Sequence, residues 1–351
     1  MTDSNRYRTF VRPRGGVVLS QFVCCDGLVA DRKIRVQTHI HSDHKTDFEI
    51  SKGYMDLILS SEPTRDLLIA YDDADLPHRI NFIGLKPRSP STFYGEKITL
   101  VESGHMLGGA QILVEHSNGY RSMYSSDFSW PPPNGVPRCD ELVVDATYGE
   151  NSMVRGFDFE NVAEELRDIV GEAQRRGLVR IIGHRGRLQH AMSILSDAFP
   201  HLPFYSSART ERTTHVYRKW GVPISTCQVR DFHKRSLPPP PTGVIFYETG
   251  EWRNFPDRGT GTRINLSYGY GGDFRSPVTW HADGESCSIA FTDHADFVGT
   301  LEYVRESGAS RVVTDSSRGG NAVALAAAIR KELGIEAQAA EPYPSHEWGS
   351  G

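Results

Sequence analysis

The chain has 351 residues, 38% of them hydrophobic, with a net charge of −5. That is enough apolar material for more than one buried core and the wrong sign for a globally basic nucleic-acid coat. Five cysteines, an odd number that includes the adjacent Cys24 and Cys25, are no disulfide framework; they suit a reducing compartment. The first ten residues lack the apolar core of a signal peptide, and no apolar run reaches membrane-spanning length, so the expectation is a soluble, cytoplasmic protein.

From Gly15 to about Gly149 the texture is one of short β-like runs divided by turns. Val17 to Leu19, Ile34 to Val36, Leu57 to Leu59, Lys97 to Val101, Gln111 to Val114 and Leu142 to Val144 read as strands. Pro63 to Tyr71 reads as a helix with proline early in it. The character changes near Glu150. Phe157 to Arg176 places Val162, Leu166, Ile169, Val170 and Ala173 at helical spacing. A strand (Leu178 to Ile182), a turn (Gly183 to Gly186) and a second helix (Leu188 to Ala198) follow, an alternation typical of a parallel-sheet module. Pro238 to Pro241 reads as a stiff connector before a strand at Gly243 to Tyr247. A last βαβα stretch runs from Ser286 to about Leu333.

The densest chemistry is His39-Ile40-His41-Ser42-Asp43-His44. Four imidazole or carboxylate groups in one turn suit a cation. On a loop leaving a strand, His39 and His41 point one way, while Asp43 and His44 face a second position. Nitrogen with carboxylate oxygen suits zinc, or manganese if more waters are kept. The plainer alternative is a His-rich surface loop. Downstream, Ser103 to Ala110 brackets His105 with glycines, and Asp127 ends a short strand before a Pro-rich turn. Either alone is weak evidence, since an aspartate there can simply cap a turn.

In this order, HxHxDH, Gly-His and Ser-Asp resemble the metallo-β-lactamase superfamily. Three further segments resemble its β-CASP nuclease branch: Val143 to Gly149 around Asp145, Gly186 to Gln189, and Ala290 to Phe297 around His294. The resemblance implies an α/β fold, a metallo-β-lactamase αβ/βα sandwich interrupted by an inserted β-CASP α/β domain. The N-terminal part would be 1–149, the insertion 150–285 and the C-terminal part 286–351. It implies two divalent metal ions, zinc first, with manganese or magnesium as alternatives at the second site. His39, His41 and His105 would hold one ion, Asp43 and His44 the other, and Asp127 both. Such a pair, about 3.5–4 Å apart, generates hydroxide near neutral pH. His294 would protonate the leaving oxygen with Asp145 orienting it, so that Asp43, Asp145 and His294 are the implied catalytic set. The turn aspartate that supports the histidine loop in this superfamily would be Asp26 or Asp31.

One place departs from the pattern. RNA-processing members close the second site with a histidine after a late strand, where this chain has Arg311-Val312-Val313-Thr314-Asp315. Asp315 would take over as an oxygen ligand, or the second ion is weakly held. DNA-directed members such as Artemis and the crosslink-repair nucleases share that departure and also favour aspartate in the acidic motif. The compact length also resembles the bacterial ligase-associated DNA exonucleases, although these keep the histidine. Between Gln174 and Trp220 nine Arg or Lys face two Asp or Glu, with Tyr205, Tyr217 and Trp220 interspersed. A basic face with aromatics suits a nucleic-acid strand, and a solvated polar face is the alternative. Arg185 and Arg187, near a helix N-terminus, are the phosphate-contact candidates. The expected function is a metal-dependent nuclease, a DNA exonuclease acting in DNA repair, with DNA favoured over RNA as partner. The alternatives are an RNA-processing nuclease, a small-molecule hydrolase and an inactive scaffold. His184 is expected near the cleft; the other histidines, His233 and His346 among them, and the cysteines read as ordinary surface or core residues.

Overall fold

The structure, a computed structural model, describes residues 8–72, 75–232, 240–254, 261–267 and 275–340. His233, His346, Pro238 and Pro239 lie outside the described residues. The chain divides into two compact units at Val154/Arg155 and Asp293/His294, with Ala70–Asp72 grouped in the second. Among the described residues no helix is long and apolar enough to cross a membrane.

The first unit begins with β1 (Phe10–Val11), β2 (Val17–Val18), β3 (Val23–Cys25), β4 (Ile34–Val36), α1 (Phe48–Tyr54), β5 (Leu57–Ser61), α2 (Glu62–Asp72) and β6 (Phe82–Leu85). These six strands form one mixed sheet in chain order, parallel from β3 to β6. A second sheet follows from β7 (Ser91–Phe93), β8 (Glu96–Glu102), β9 (Ala110–Glu115), β10 (Arg121–Tyr124) and β11 (Glu141–Asp145). It is antiparallel as far as β10, and β10 pairs parallel with β11.

The second unit alternates: α3 (Phe159–Ala173), β12 (Val179–Gly183), α4 (Arg187–Ala198), β13 (Phe204–Ser206), α5 (Ala208–Lys219), β14 (Gln228–Val229), β15 (Val244–Glu248), α6 (Thr249–Asn254), β16 (Thr262–Leu266), β17 (Val278–Trp280) and β18 (Ser286–Ile289). Its sheet runs β14-β13-β15-β12-β16-β18-β17, parallel except for the β17 edge. The Val-Ile-Phe-Tyr run of β15 is buried throughout, as a strand covered on both faces requires. The spacing expected to make a helix at 157–176 gives α3, started by a capping box between Asp158 and Asn161. The Ser286 strand expected in the closing segment pairs instead with β16 and β17 in this sheet.

The chain then completes the first unit with α7 (Phe297–Ser307), β19 (Arg311–Asp315), α8 (Ala322–Ala328) and β20 (Glu336–Ala339). β19 joins β11 in parallel, placing Asp315 opposite Asp145. Period-two alternation sorts the second sheet's side chains between two cores. Tyr124, Val143 and Val313 meet Val17, Ile34, Val36 and Leu59 of the first sheet. Met123, Leu142, Val144 and Val312 meet Phe297, Leu301, Val304, Leu325 and Ile329 on the other face. Two sheets therefore share one core, with α7 and α8 covering the outer face of the second. β10, β11 and β19 run in parallel, so their carboxyl ends deliver Asp127, Asp145 and Asp315 to one edge.

Candidate metal centre

The loop after β4 is held from beneath by a buried arginine. Ile34 and Val36 face the core and Arg35 faces away, so its guanidinium lies under the loop. Its Nη1 donates to Thr46 O (2.8 Å) and Ser51 Oγ (2.9 Å); its Nη2 donates to Gln37 Oε1 (2.8 Å) and His44 O (3.1 Å). The Gln37 amide in turn donates to His39 O (2.8 Å) and His44 O (3.0 Å). Both ends of the histidine run are thereby tied to the strand that precedes it.

A single carboxylate sets two imidazole tautomers. Asp26, in left-handed backbone (φ 55°), accepts from Thr38 N (2.9 Å), from Thr38 Oγ1 (2.6 Å) and from His44 Nδ1 (2.7 Å). Burial would raise its carboxyl, but the His44 imidazole and the Arg318 guanidinium hold it below its ordinary value. An ionised carboxylate only accepts, so the Thr38 hydroxyl spends its one proton on Asp26. The same hydroxyl receives Ser126 Oγ–H at 2.8 Å and lies 3.1 Å from His39 Nδ1. His39 Nδ1 must then donate, which leaves its Nε2 with a lone pair facing the centre. His44 Nδ1 also donates to Asp26, so its Nε2 points at Asp127 Oδ1, 3.2 Å away. Of the two aspartates offered by the sequence for this support it is Asp26 that lies here; Asp31 pairs with Arg32 at the surface.

His105 and Asp127 arrive from backbone that few residues adopt. Gly104 (φ 78°) and Gly108 (φ 76°) shape the β8–β9 turn, and a Cβ on Gly104 would lie 2.0 Å from Ser129 Oγ. Gly108 O accepts from Ser61 Oγ (2.7 Å) and Thr64 Oγ1 (2.8 Å), anchoring the turn. Asp127 follows Ser126, another left-handed residue (φ 52°).

His41 Nδ1 lies 3.1 Å from both His39 Nε2 and His105 Nε2. Asp127 Oδ2 lies 3.6 Å from His39 Nε2 and 3.4 Å from His105 Nε2. One ring nitrogen cannot share a single proton between two neighbours in this way, whereas an ion at the centre accounts for all four atoms. A tetrahedral zinc with bonds of about 2.0–2.1 Å has ligand–ligand edges of about 3.3–3.4 Å, and the observed separations bracket that. Burial, then the His44 and His41 charges, pushes His39 well below the ordinary imidazole value, keeping it neutral as a ligand must be. These four residues fit a divalent ion.

A second group converges on the same carboxylate. His294 Nε2 lies 3.6 Å from Asp127 Oδ2, while its Nδ1 meets Asp145 Oδ2 at 3.0 Å. Asp145 Oδ1 is occupied by the amide and hydroxyl of Thr147 (2.9 and 2.8 Å). Burial would raise the Asp127 carboxyl, but His44 and His294 hold it well below the carboxylate range. Burial likewise opposes charge on His44, yet Asp127 and Asp26 push it up to about 10.

The remaining candidates stand apart. Asp43 is half-exposed and its Oδ2 is 3.9 Å from His44 Nε2. Among the described residues, neither group of mutually close ligand atoms includes Asp43, His44 or Asp315. Asp315 accepts instead from Ser317 N (2.8 Å) and Arg318 Nη1 (3.1 Å). In the second unit Arg187 is 1% exposed, inside the unit rather than on its surface. Arg185 lies over the Tyr71 ring, 3.6 Å from its centroid, and pairs with Glu248. Tyr205 and Tyr217 are buried, leaving Trp220 of the interspersed aromatics at the surface. All five cysteines are free and buried. Arg35, Gln37, Thr38, Ser126 and Arg318 were not singled out from the sequence. The only signal for them is polarity: Arg35 interrupts a strand and Thr38 and Ser126 adjoin candidate ligands.

No protein-family model matches the chain. An uncharacterised protein in the lig 3′ region of Acidianus ambivalens is 36% identical over 129 residues, 36% of this chain and 91% of that protein. A probable DNA ligase of Opitutus terrae is 26% identical over 317 residues, 86% of this chain. The transcription termination factor FttA of Methanothermobacter thermautotrophicus is 28% identical over 190 residues, 46% of this chain. This chain spans only 28% and 30% of those two longer proteins. A crystal structure of a protein of unknown function from Enterococcus faecalis V583 superposes with a TM-score of 0.53 at 11% identity, over 80% of this chain and 74% of that one. At that identity the likeness is one of fold alone.

Proposed function

We propose, for a chain that belongs to one family with the Acidianus ambivalens protein of the lig 3′ region, a metal-dependent nuclease of the metallo-β-lactamase fold and β-CASP branch. The observation that carries this reading is the convergence of His39, His41, His105 and Asp127 at the edge lengths of a zinc shell, with the Asp145–His294 pair directed at the same carboxylate. These four residues would hold the ion. When bound, a divalent ion there supplies Lewis acidity toward a phosphoryl oxygen and the nucleophile's water. The chain's own part follows from its hydrogen bonds. Asp26, through Thr38, turns the His39 lone pair inward. Asp145 accepts from His294 Nδ1 and aims Nε2 into the centre, the position from which it would hand a proton to a leaving oxygen. Asp127 faces His44 with one oxygen and the histidine cluster with the other; Asp43 and His44 beside it are the residues that would hold any second ion, His44 after giving up a proton.

DNA is the substrate we favour, because the similarity to the probable DNA ligase covers 86% of this chain and the acidic motif carries aspartate. RNA is the second reading, favoured by the similarity to the transcription termination factor. In the second unit the exposed Arg209 and Arg212 are among the surface cations offered to a strand, while Arg185 is largely covered and paired with Glu248. The test is cleavage of end-labelled single-stranded DNA and matched RNA by zinc- or manganese-loaded protein, with chelated protein and His105→Ala as controls. Cutting of DNA that both controls abolish is the expected result. Cutting of RNA alone would move the substrate to the second reading, and no cutting of either polymer by protein shown to carry metal would overturn the nuclease assignment.

A further inference from the structure

Asp145 and Asp315 sit opposite one another at the ends of adjacent parallel strands, yet they are used differently. Asp145 turns one oxygen to His294. Both oxygens of Asp315 are engaged away from the histidines, one by Ser317 N and the other by the Arg318 guanidinium.

That guanidinium is locked. Its side chain is only 9% exposed, and every nitrogen has a partner. Nε donates to Asp43 O (3.3 Å), Nη1 to Tyr124 Oη (3.3 Å) and Ser317 Oγ (3.2 Å) as well as to Asp315, and Nη2 to Gly15 O (2.6 Å) and Asp26 O (3.4 Å). Gly15 leaves it room, since a Cβ there would stand 3.0 Å from Nη2. Three strand-connecting loops and the ends of β10 and β19 therefore wrap one permanently charged group, beside the main chain of Asp43. A guanidinium carries its charge at any working pH and cannot leave.

We propose that Arg318 makes this a centre that holds one ion tightly, taking the place of a second. It does so in two ways. It removes Asp315 from the ligands available to the second position, leaving Asp43, His44 and Asp127, and it adds a fixed positive charge that a second cation must approach. The inference rests on the reading of His39, His41, His105 and Asp127 as a metal site, and it makes no use of what the protein cleaves. Arg318 is a positioning residue here; it touches no substrate.

The experiment compares wild type, Asp315→Asn and Arg318→Met, each saturated with zinc, passed into metal-free buffer and assayed for zinc per chain by mass spectrometry. Folding is checked by circular dichroism, and the affinity of any further zinc is measured by chelator competition. One zinc is expected in wild type and in Asp315→Asn, and the second zinc of Arg318→Met should bind about tenfold tighter than any second zinc of wild type. Two tightly held zinc ions in wild type overturn the proposal, most directly if Asp315→Asn retains one, which would make Asp315 a ligand. A folded Arg318→Met with no gain in second-site affinity also overturns it. If Arg318→Met does not fold, the Asp315→Asn comparison decides alone. Zinc absent from all three forms would overturn the metal-site reading itself, whereas one zinc without cleavage would overturn the nuclease reading and leave this inference standing.

Discussion

Replacing Thr38 by valine tests the claim that a chain of hydrogen bonds, and not merely packing, presents His39 to an ion. Valine keeps the branched shape and removes the hydroxyl. In the structure that hydroxyl donates to Asp26 Oδ2 (2.6 Å), receives Ser126 Oγ–H (2.8 Å) and accepts from His39 Nδ1 (3.1 Å). Removing it leaves the His39 Nδ1–H and the Ser126 hydroxyl buried without that acceptor. A stranded buried polar group costs about 1–3 kcal/mol. The imidazole can escape by moving its proton to Nε2, the nitrogen aimed at His41 and Asp127, and then it is no longer a ligand. Either way the penalty falls on the ion-bound state. Losing an outer partner of a ligating histidine weakens metal binding by about 10- to 100-fold, equivalent to about 1.4–2.7 kcal/mol. Zinc affinity from competition against a chromophoric chelator should fall in that range for Thr38→Val and stay near wild type for Thr38→Ser, which restores the hydroxyl. Equal affinities for Thr38→Val and wild type, with the fold intact, would refute the tautomer argument.

Three other outcomes are expected. His294→Ala and Asp145→Asn should lower the rate of phosphodiester cleavage by about 10²–10⁴-fold while the zinc content per chain stays constant; a loss of zinc in step with activity would make His294 a ligand rather than an acid. Arg35→Met removes the guanidinium donors to Thr46 O, Ser51 Oγ and Gln37 Oε1 and leaves His44 O with the Gln37 amide alone, so urea unfolding should show a loss of about 3–5 kcal/mol, and a change below about 1 kcal/mol would mean the loop is held by other contacts. Stripping the ion should lower the melting temperature of the first unit. With free zinc at about 1,000 times Kd the bound ion contributes about 4.1 kcal/mol, or about 8–16 °C at about 2–4 °C per kcal/mol for a unit of this size, and a melting curve indifferent to chelator would speak against a preformed site.

What could be read from the sequence, and what could not, follows the range of each interaction. The expected helix at 157–176 and strands at 97–101 and 111–114 are present because their signals are local: a cap three residues from its partner, apolar side chains at a fixed period. The helices at 48–54 and 208–219 carried weaker signals. α5 in particular buries threonines, Thr210, Thr213 and Thr214, where periodicity looks for Leu or Val. The histidine run was conspicuous because its members are neighbours in the chain, and the structure brings His39 and His41 to His105 and Asp127. The residues that determine how those groups behave are scattered. Ser126 meets Thr38 across 88 positions, and Arg318 meets Asp43 across 275. Nothing in Thr38 or Arg318 distinguishes it from any other surface-grade polar residue until the sheets are stacked and the side chain is found without water. The difference is thermodynamic as well as geometric. A ligand type can be recognised by its donor atom alone, but a proton's position depends on every acceptor within reach, and in a buried network that set is defined only by the fold. Asp26 shows the consequence. As a turn aspartate it offers the sequence two readings, itself or Asp31; as a buried carboxylate receiving Thr38 and His44 it decides which nitrogen of His39 and of His44 faces the centre.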